Sequence, residues 1–206
     1  MKLVADGLAS TRGGRMLFSA LSFTVRGGEA LLLMGPNGAG KTTLIRTIAG
    51  LYPPAAGAIQ IERGNPELSL GEQCHYVGHL NALKAGLTVA ENASFWCRFL
   101  GRAGVRGRID QALSAFGLAM LRDIPAGELS AGQKRRLGLA RVLLTKRPIW
   151  LLDEPSASLD SVAQAMLEAV VNAHISAGGL VVAATHAPLA FSNARELHLG
   201  SAAQPT

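Results

Sequence analysis

The chain is short of cysteine, of aromatic residues and of charge, and it has no long uninterrupted apolar run. Its two cysteines, Cys74 and Cys97, have no metal-ligand spacing and sit in apolar segments. That excludes a disulfide scaffold and reads as reduced core thiols in a cytoplasmic setting. Aromatic residues make up 5% and charged residues 17%, against 49% hydrophobic residues over 206 positions. Those proportions exclude a disordered chain and suit one globular domain with a sizeable core. No basic segment, apolar core and cleavage site open the sequence, so a secretory leader is not expected. A membrane span takes about 20 mostly apolar residues. The best candidate, Ala169 to Ala194, lacks Asp, Glu, Lys and Arg, but Asn172, His174, Gly178, Gly179, His186, Pro188 and Asn193 interrupt it. It reads as a buried helix, a turn and a buried strand.

Acids are fewer than bases, 14 against 20, for a net charge of +6. A basic balance admits nucleic acid, anionic lipid or nucleotide as partner. Arg98, Arg102, Arg106 and Arg108 form a basic run without an acid until Asp110. Two readings stand: a solvated helical face, or a surface near anionic headgroups.

Short apolar runs alternate with helical patterns. Lys2–Ala5, Leu21–Val25, Ala30–Met34, Ala58–Ile61 and His75–Val77 read as strands. Ile149–Leu152 and Leu180–Ala184 are continuous apolar runs, suited to strands buried on both faces of a parallel sheet. Lys41–Ala49, Ser130–Leu144 and Ser161–Ser176 read as helices, giving an α/β class with crossover helices. Turns at Gly13-Gly14 and Gly27-Gly28 predict an antiparallel β region in the N-terminal half. From Thr88 to about Gly127 the pattern is helical throughout. Thr88 and Glu91 form a capping box, Gly101 and Gly104 end that helix, and a second runs from Arg106 to Phe116, stopped by Gly117. The expected organisation is a single domain over 1–206, with a core of 1–87 and 128–206 and a helical subdomain inserted at 88–127. The tail 200–206 is expected to fray.

Three segments carry chemistry. The strand ending at Met34 runs into Gly35, Pro36, Asn37, Gly38, Ala39, Gly40, Lys41, Thr42 and Thr43. This satisfies the G-x-x-x-x-G-K-[ST] phosphate-binding pattern in its required order of strand, loop and helix. Its backbone N–H groups and the helix start can wrap phosphate, Lys41 adds charge, and Thr42 offers a hydroxyl to Mg²⁺. Ile149 to Leu152 then deliver Asp153 and Glu154 to a strand end. Asp153 is placed to hold Mg²⁺ through water, and Glu154 to polarise an attacking water. Last, Ser130 and Gln133 cap a helix with Ala131 and the flexible Gly132 between them. That helix start is either an ordinary cap or a second anion site that closes over the nucleotide of another copy.

Leu129-Ser130-Ala131-Gly132-Gln133 resembles the signature motif of ABC ATPases, commonly Leu-Ser-Gly-Gly-Gln. It lies between the phosphate loop and the Asp153-Glu154 strand, as in that family. Ser158-Leu159-Asp160 resembles the family's D-loop and Ala184-Thr185-His186 its switch histidine, so the resemblance spans Leu3 to about Leu199. It implies a P-loop NTPase of ABC type, with a mixed sheet core. It also implies a head-to-tail dimer that sandwiches ATP and Mg²⁺ between Gly35–Thr43 of one copy and Ser130–Gln133, with Asp160, of the other. Glu154 and His186 would then be catalytic.

Two positions depart from the family pattern. Arg12 stands where an aromatic ring usually stacks on adenine; a guanidinium can also stack, and a plain surface arginine is the alternative. His79 stands where many members carry a glutamine that senses the metal, so its role toward Mg²⁺ is open.

Thr11 to Phe18, Tyr76-Val77-Gly78-His79 and Asp123-Ile124-Pro125 narrow the resemblance to the CcmA family of cytochrome c maturation ATPases, once called haem exporters. That implies a CcmB-like permease and a CcmC-like subunit as partners. It also implies a peripheral position on the cytoplasmic face of the bacterial inner membrane, and ATP use for haem export or release of a haem-loaded chaperone. The sequence shows no haem site, and His75 and His79 read as structural or nucleotide-sensing. The rivals are an ABC ATPase subunit for another cargo, an ABC-type ATPase acting on nucleic acid or ribosomes, and a nucleotide-gated module without turnover. The second rival lacks the usual coiled-coil insertions or paired ATPase domains, so no nucleic-acid partner is expected. Glu154 and His186 argue against the third.

Overall fold

The structure is a computed structural model that describes residues 1–101 and 106–200. The helix stop expected at Gly104, Arg102 of the basic run, and 201–206 of the tail lie outside the described residues.

The N-terminal strands form a three-stranded antiparallel sheet. β1 (Lys2–Arg12) and β2 (Arg15–Arg26) are a hairpin around Gly13-Gly14, with φ of 57° and 76°. Two successive left-handed residues make the tight turn whose twist matches its flanking strands. β4 (Ala56–Glu62) pairs with the other edge of β1, in the order β2-β1-β4. These strands run longer than the apolar alternation indicated. The alternation breaks near Asp6-Gly7, where the pairing shifts register and then resumes as far as Arg12 opposite Arg15. A bulge hides the continuation of a strand from a period-2 reading.

The second sheet has five strands: β3 (Ala30–Met34), β5 (Cys74–Val77), β6 (Ile149–Asp153), β7 (Leu180–Ala184) and β8 (Ala194–His198), in the order β5-β6-β7-β3-β8. β3 pairs in parallel with β7 and β8, and β6 with β7. Every residue of β6 and β7 is buried, as continuous apolar runs in a parallel sheet require. Gly27-Gly28 carries the chain from one sheet to the other, because β2 and β3 belong to different sheets. β8 was not expected. It is an edge strand, mostly exposed, and Arg195 and Glu196 erase the apolar pattern a buried strand shows.

Five helices are described: α1 (Lys41–Ile48), α2 (Val89–Phe99), α3 (Arg106–Ala115), α4 (Ala131–Leu144) and α5 (Ser161–Ser176). The capping box expected at α2 is formed: Glu91 N–H donates to Thr88 Oγ1 at 3.1 Å, and Thr88 N–H to Glu91 Oε2 at 2.8 Å. No described helix is long and apolar enough to cross a membrane.

The chain divides into two compact units. The first holds Met1–Tyr76, Pro148–Glu154 and Asn172–Thr206; the second holds Val77–Arg147 and Pro155–Val171. The first unit's core gathers Leu3, Val25, Leu31, Leu33, Leu44, Ile48, Leu151 and Val182. In the second unit, Asn92 is buried on α2 and donates from Nδ2 to the carbonyls of Lys84, Leu87 and Thr88, each at 3.0 Å. Arg141 lies 4.3 Å over the Trp96 ring.

Candidate nucleotide site

The site in the first unit is built where β3, β6 and β7 end at one level. Leu33 and Asp153 are both in register with Ala184 of β7. From the end of β3 the chain turns through residues 35–40 into α1. α1 has no side-chain cap at Gly40 and no acid in its first turn. Its first N–H groups are therefore free to face an anion, and no acid of its own first turn opposes one. Gly35 has φ 132°, and a Cβ there would meet the Leu199 carbonyl oxygen at 2.2 Å. Only glycine satisfies both the conformation and the close approach.

Lys41 is 7% exposed and folds back on the loop that precedes it. Its Nζ donates to the Gly35 carbonyl at 2.6 Å and the Pro36 carbonyl at 3.2 Å. It also stands 3.1 Å from His186 Nε2. The neighbouring hydroxyl, Thr42 Oγ1, donates to Asp153 Oδ1 at 2.9 Å. Asp153 is 1% exposed at the end of β6. Two hard oxygen donors thus sit together at the start of α1, as a small hard cation needs.

Glu154 has φ 50°, so the chain turns sharply after Asp153. Its N–H donates to the Ala184 carbonyl at 2.9 Å, and its Oε1 lies 3.4 Å from His186 Nε2. His186 is exposed and follows the buried Thr185. Thr185 Oγ1 donates to the Ala187 carbonyl at 2.8 Å and accepts from the Ala187 N–H at 3.1 Å. That local turn presents the imidazole toward Lys41 and Glu154.

A pocket of about 470 Å³ brings together Arg12, Asn37, Gly38, Ala39, Gly40, Lys41, Thr42, Thr43, Glu154 and His186, all expected from the sequence. Leu17 and Arg46 line it too, and sequence reasoning missed both. The signal for Arg46 was its place one helical turn beyond Thr42, on the same face of α1. Arg46 Nε donates to Tyr76 Oη at 3.1 Å, and this bond holds the guanidinium above its ordinary pKa range.

The other expected residues lie in the second unit. Ser130 Oγ accepts from the Gln133 N–H at 3.2 Å, and Gln133 Oε1 accepts from the Ser130 N–H at 2.8 Å. This capping box leaves the first-turn N–H groups of Ala131 and Gly132 and the Ser130 hydroxyl proton available to an anion. Asp160 Oδ1 accepts from the Ala163 N–H at 2.7 Å and so caps α5. His79 is exposed beyond the end of β5. Sequence reasoning also missed Arg135 as a brace. It is 3% exposed; Nε donates to the Pro155 carbonyl at 3.3 Å, and one terminal nitrogen donates to the Gly78 carbonyl at 2.8 Å and Asn81 Oδ1 at 3.2 Å.

The ABC transporter family model matches residues 18–157. The chain is 52% identical over 203 residues to the cytochrome c biogenesis ATP-binding export protein CcmA of Nitrobacter winogradskyi, covering 98% of this chain and all of that one. It is 50% identical to the protein of the same name from Rhodopseudomonas palustris, with the same coverage. For that of Rhizobium meliloti the identity is 47%, covering 97% of this chain and 98% of the other. Among solved structures, a putative ABC transporter ATP-binding protein from Pyrococcus furiosus superposes with a TM-score of 0.84 at 24% identity, over 97% of this chain and 98% of that one. An ATP-binding subunit of an ABC transporter gives 0.79 at 26%, over 90% and 80%.

Proposed function

The chain belongs to the ATP-binding proteins of the ABC transporter family, and from that premise we propose that it is the ATP-hydrolysing subunit of a membrane complex for cytochrome c maturation. The observation that carries the reading is the join of Thr42 to Asp153 beside Lys41, Glu154 and His186, in a chain about half identical to CcmA proteins over nearly its whole length.

The loop N–H groups and the start of α1 hold the triphosphate. Lys41 transfers its ammonium from the Gly35 and Pro36 carbonyls to phosphate oxygen. Thr42 and Asp153 fit Mg²⁺, since both offer oxygen donors and they meet at 2.9 Å. Bound there, Mg²⁺ would be held by Thr42 and Asp153 and would neutralise phosphate charge as a Lewis acid. Glu154 takes a proton from the attacking water as the water oxygen bonds to the γ-phosphorus and the bond to the β-phosphate oxygen breaks. His186 contacts the γ-phosphate. Ser130 to Gln133 of a second copy close on the same γ-phosphate, with Asp160 near the shared nucleotide. Loss of that bridging charge on hydrolysis then parts the copies.

The partner is a membrane permease of the CcmB kind, with a CcmC-like subunit in the same complex. The chain sits peripherally on the cytoplasmic face of the inner membrane and drives haem export or release of a haem-loaded chaperone. Arg12 and His79 remain candidate contacts for the base and for Mg²⁺.

The test is replacement. The chain is produced in a bacterium that lacks its own subunit of this kind, and c-type cytochromes are followed by haem staining. Wild type is expected to restore them and to co-purify with the permease; Glu154→Gln is expected to co-purify without restoring them. A wild-type chain that joins the permease and hydrolyses ATP there, yet restores no cytochrome, overturns the assignment to this process.

A further inference from the structure

The chain is poor in aromatic residues, with six Phe, two Trp and two Tyr, yet three of these stand within five positions of α2 in the second unit. Phe95 and Phe99 stack with centroids 6.1 Å apart and planes 17° from parallel, and Phe99 meets Trp96 edge to face at 5.3 Å. Trp96 is held in place by its neighbours: its Nε1 donates to the Ala82 carbonyl at 3.3 Å, and the Arg141 guanidinium covers its ring. Phe99 stands outermost on this fixed platform, 69% exposed. Single exposed apolar side chains are ordinary, but a contiguous aromatic face marks a contact surface.

The groups around that face are cations. Lys84 Nζ lies 4.7 Å over the Phe95 ring. Arg98 is exposed, one helical turn beyond Phe95, and has no partner among the described residues. Arg108 of α3 and Cys97 of α2 reach the same Leu144 carbonyl, so a third positive charge stands at this end of α2. The single acid of α2, Glu91, lies at the opposite end, where the Thr88 N–H draws it into the capping box. Aromatic rings flanked by Lys and Arg suit a membrane–water boundary, where the rings enter the acyl margin and the cations pair with phosphate. A protein groove would have to match these cations with fixed carboxylates; an anionic leaflet supplies fluid phosphates that need no fixed geometry.

Resting on the peripheral membrane position proposed for the chain, we infer that this face of α2 docks on anionic phospholipid headgroups, with Phe99 inserted and Lys84, Arg98 and Arg108 as the electrostatic contacts. One ring and three cations hold weakly by themselves, so the contact orients a subunit that the permease already keeps at the membrane. The full chain is mixed with vesicles of phosphatidylcholine alone, or of phosphatidylcholine with phosphatidylglycerol, and bound protein is measured by flotation. The wild type is expected to bind the anionic vesicles, to ignore the neutral ones, and to come off as salt rises. Arg98→Gln and Lys84→Gln are each expected to weaken binding about fivefold, and Phe99→Asp at least about tenfold. In Phe99→Trp, brominated acyl chains are expected to quench the new indole more strongly than they quench the native Trp96 and Trp150 of the wild type. All four variants are expected to keep wild-type folding and ATP turnover, since none touches the nucleotide pocket.

Equal binding to neutral and anionic vesicles, undiminished binding by Phe99→Asp, or no binding at all overturns the inference. Loss of the permease from Phe99→Asp, with vesicles ignored by the wild type, overturns it by making the face a protein contact. A wild-type chain that restores cytochromes but ignores vesicles sinks this inference and leaves the function standing. A chain that binds vesicles through Phe99 but restores no cytochrome does the opposite.

Discussion

Lys41 Nζ lies 3.1 Å from His186 Nε2, and the same ring nitrogen lies 3.4 Å from Glu154 Oε1. One nitrogen cannot serve both neighbours. To accept from the ammonium it must be bare, with the ring proton on Nδ1; to face the carboxylate it must carry the proton. The lysine's contacts are with this imidazole and with the Gly35 and Pro36 carbonyls of its own loop. A triphosphate that draws Lys41 away frees Nε2 to turn toward Glu154 or the phosphate. Lys41→Ala is accordingly expected to weaken ATP binding about 100-fold, on the order of 2.7 kcal/mol. His186→Ala is expected to hold binding within a few-fold while turnover drops about 10² to 10³-fold, as for loss of one aimed donor. Equilibrium binding and phosphate release on the same preparations separate the two effects.

Glu154 reaches the pocket because the backbone after Asp153 takes φ 50°, pinned by its N–H bond to Ala184. Glu154→Gln keeps the side chain's shape and removes its ability to take a proton. Hydrolysis is expected to fall about 10² to 10⁴-fold. ATP binding should be unchanged, and ATP should hold two copies together long enough to see by light scattering. Normal hydrolysis in this variant would remove Glu154 from the chemistry.

Much of this site is legible in sequence because its parts are contiguous. The loop, the Asp153-Glu154 pair and the two capping boxes each occupy a few neighbouring residues, and the physics of each is local. The strand-end position of Asp153 followed from the apolar run before it. What stayed hidden depends on sheet order. Lys41 and His186 are 145 positions apart and meet only because β3 and β7 are neighbours. β8 gives no apolar signal because it is an exposed edge. Arg135 falls in the motif, yet its carbonyl partners lie on separate loops near positions 78 and 155. The Trp150–His174 stack joins a strand to a helix end through the fold alone.

Arg135 should be costly to lose. Its buried guanidinium satisfies the carbonyls of Gly78 and Pro155 and the Asn81 side chain. Arg135→Ala strips donors from the buried carbonyls of Gly78 and Pro155, at about 3 kcal/mol, or roughly 6 to 12 °C in Tm for a chain of this size. Arg135→Lys keeps the charge without the forked donors and is expected to recover only part of the loss. Thermal melts of the three proteins give the ranking.

The stability of the first unit should depend on pH through His174. Its ring stacks on Trp150 with centroids 3.8 Å apart and planes 6° from parallel. Among the described residues, neither His174 Nε2 nor Trp150 Nε1 has a hydrogen-bond partner. Burial disfavours the charged imidazolium and lowers the pKa from 6.5 to about 4, against a smaller opposing pull from the backbone at Pro148 and Leu180. The unfolded chain thus takes up a proton that the folded chain refuses. Stability from this group is complete above pH 6.5, declines as the pH falls toward 4, and stops declining below that. The whole interval corresponds to about 3 kcal/mol, and partial solvent contact of the ring reduces the expected loss to about 2 kcal/mol. Carboxylates titrate at the low end of the same window, so the difference between wild type and His174→Phe is the quantity to measure. Phenylalanine keeps a flat ring against Trp150 and cannot take a proton. Denaturant melts from pH 7 to 4 should show the wild type losing about 2 kcal/mol more than the variant; parallel curves would mean that the buried imidazole contributes nothing to the pH dependence.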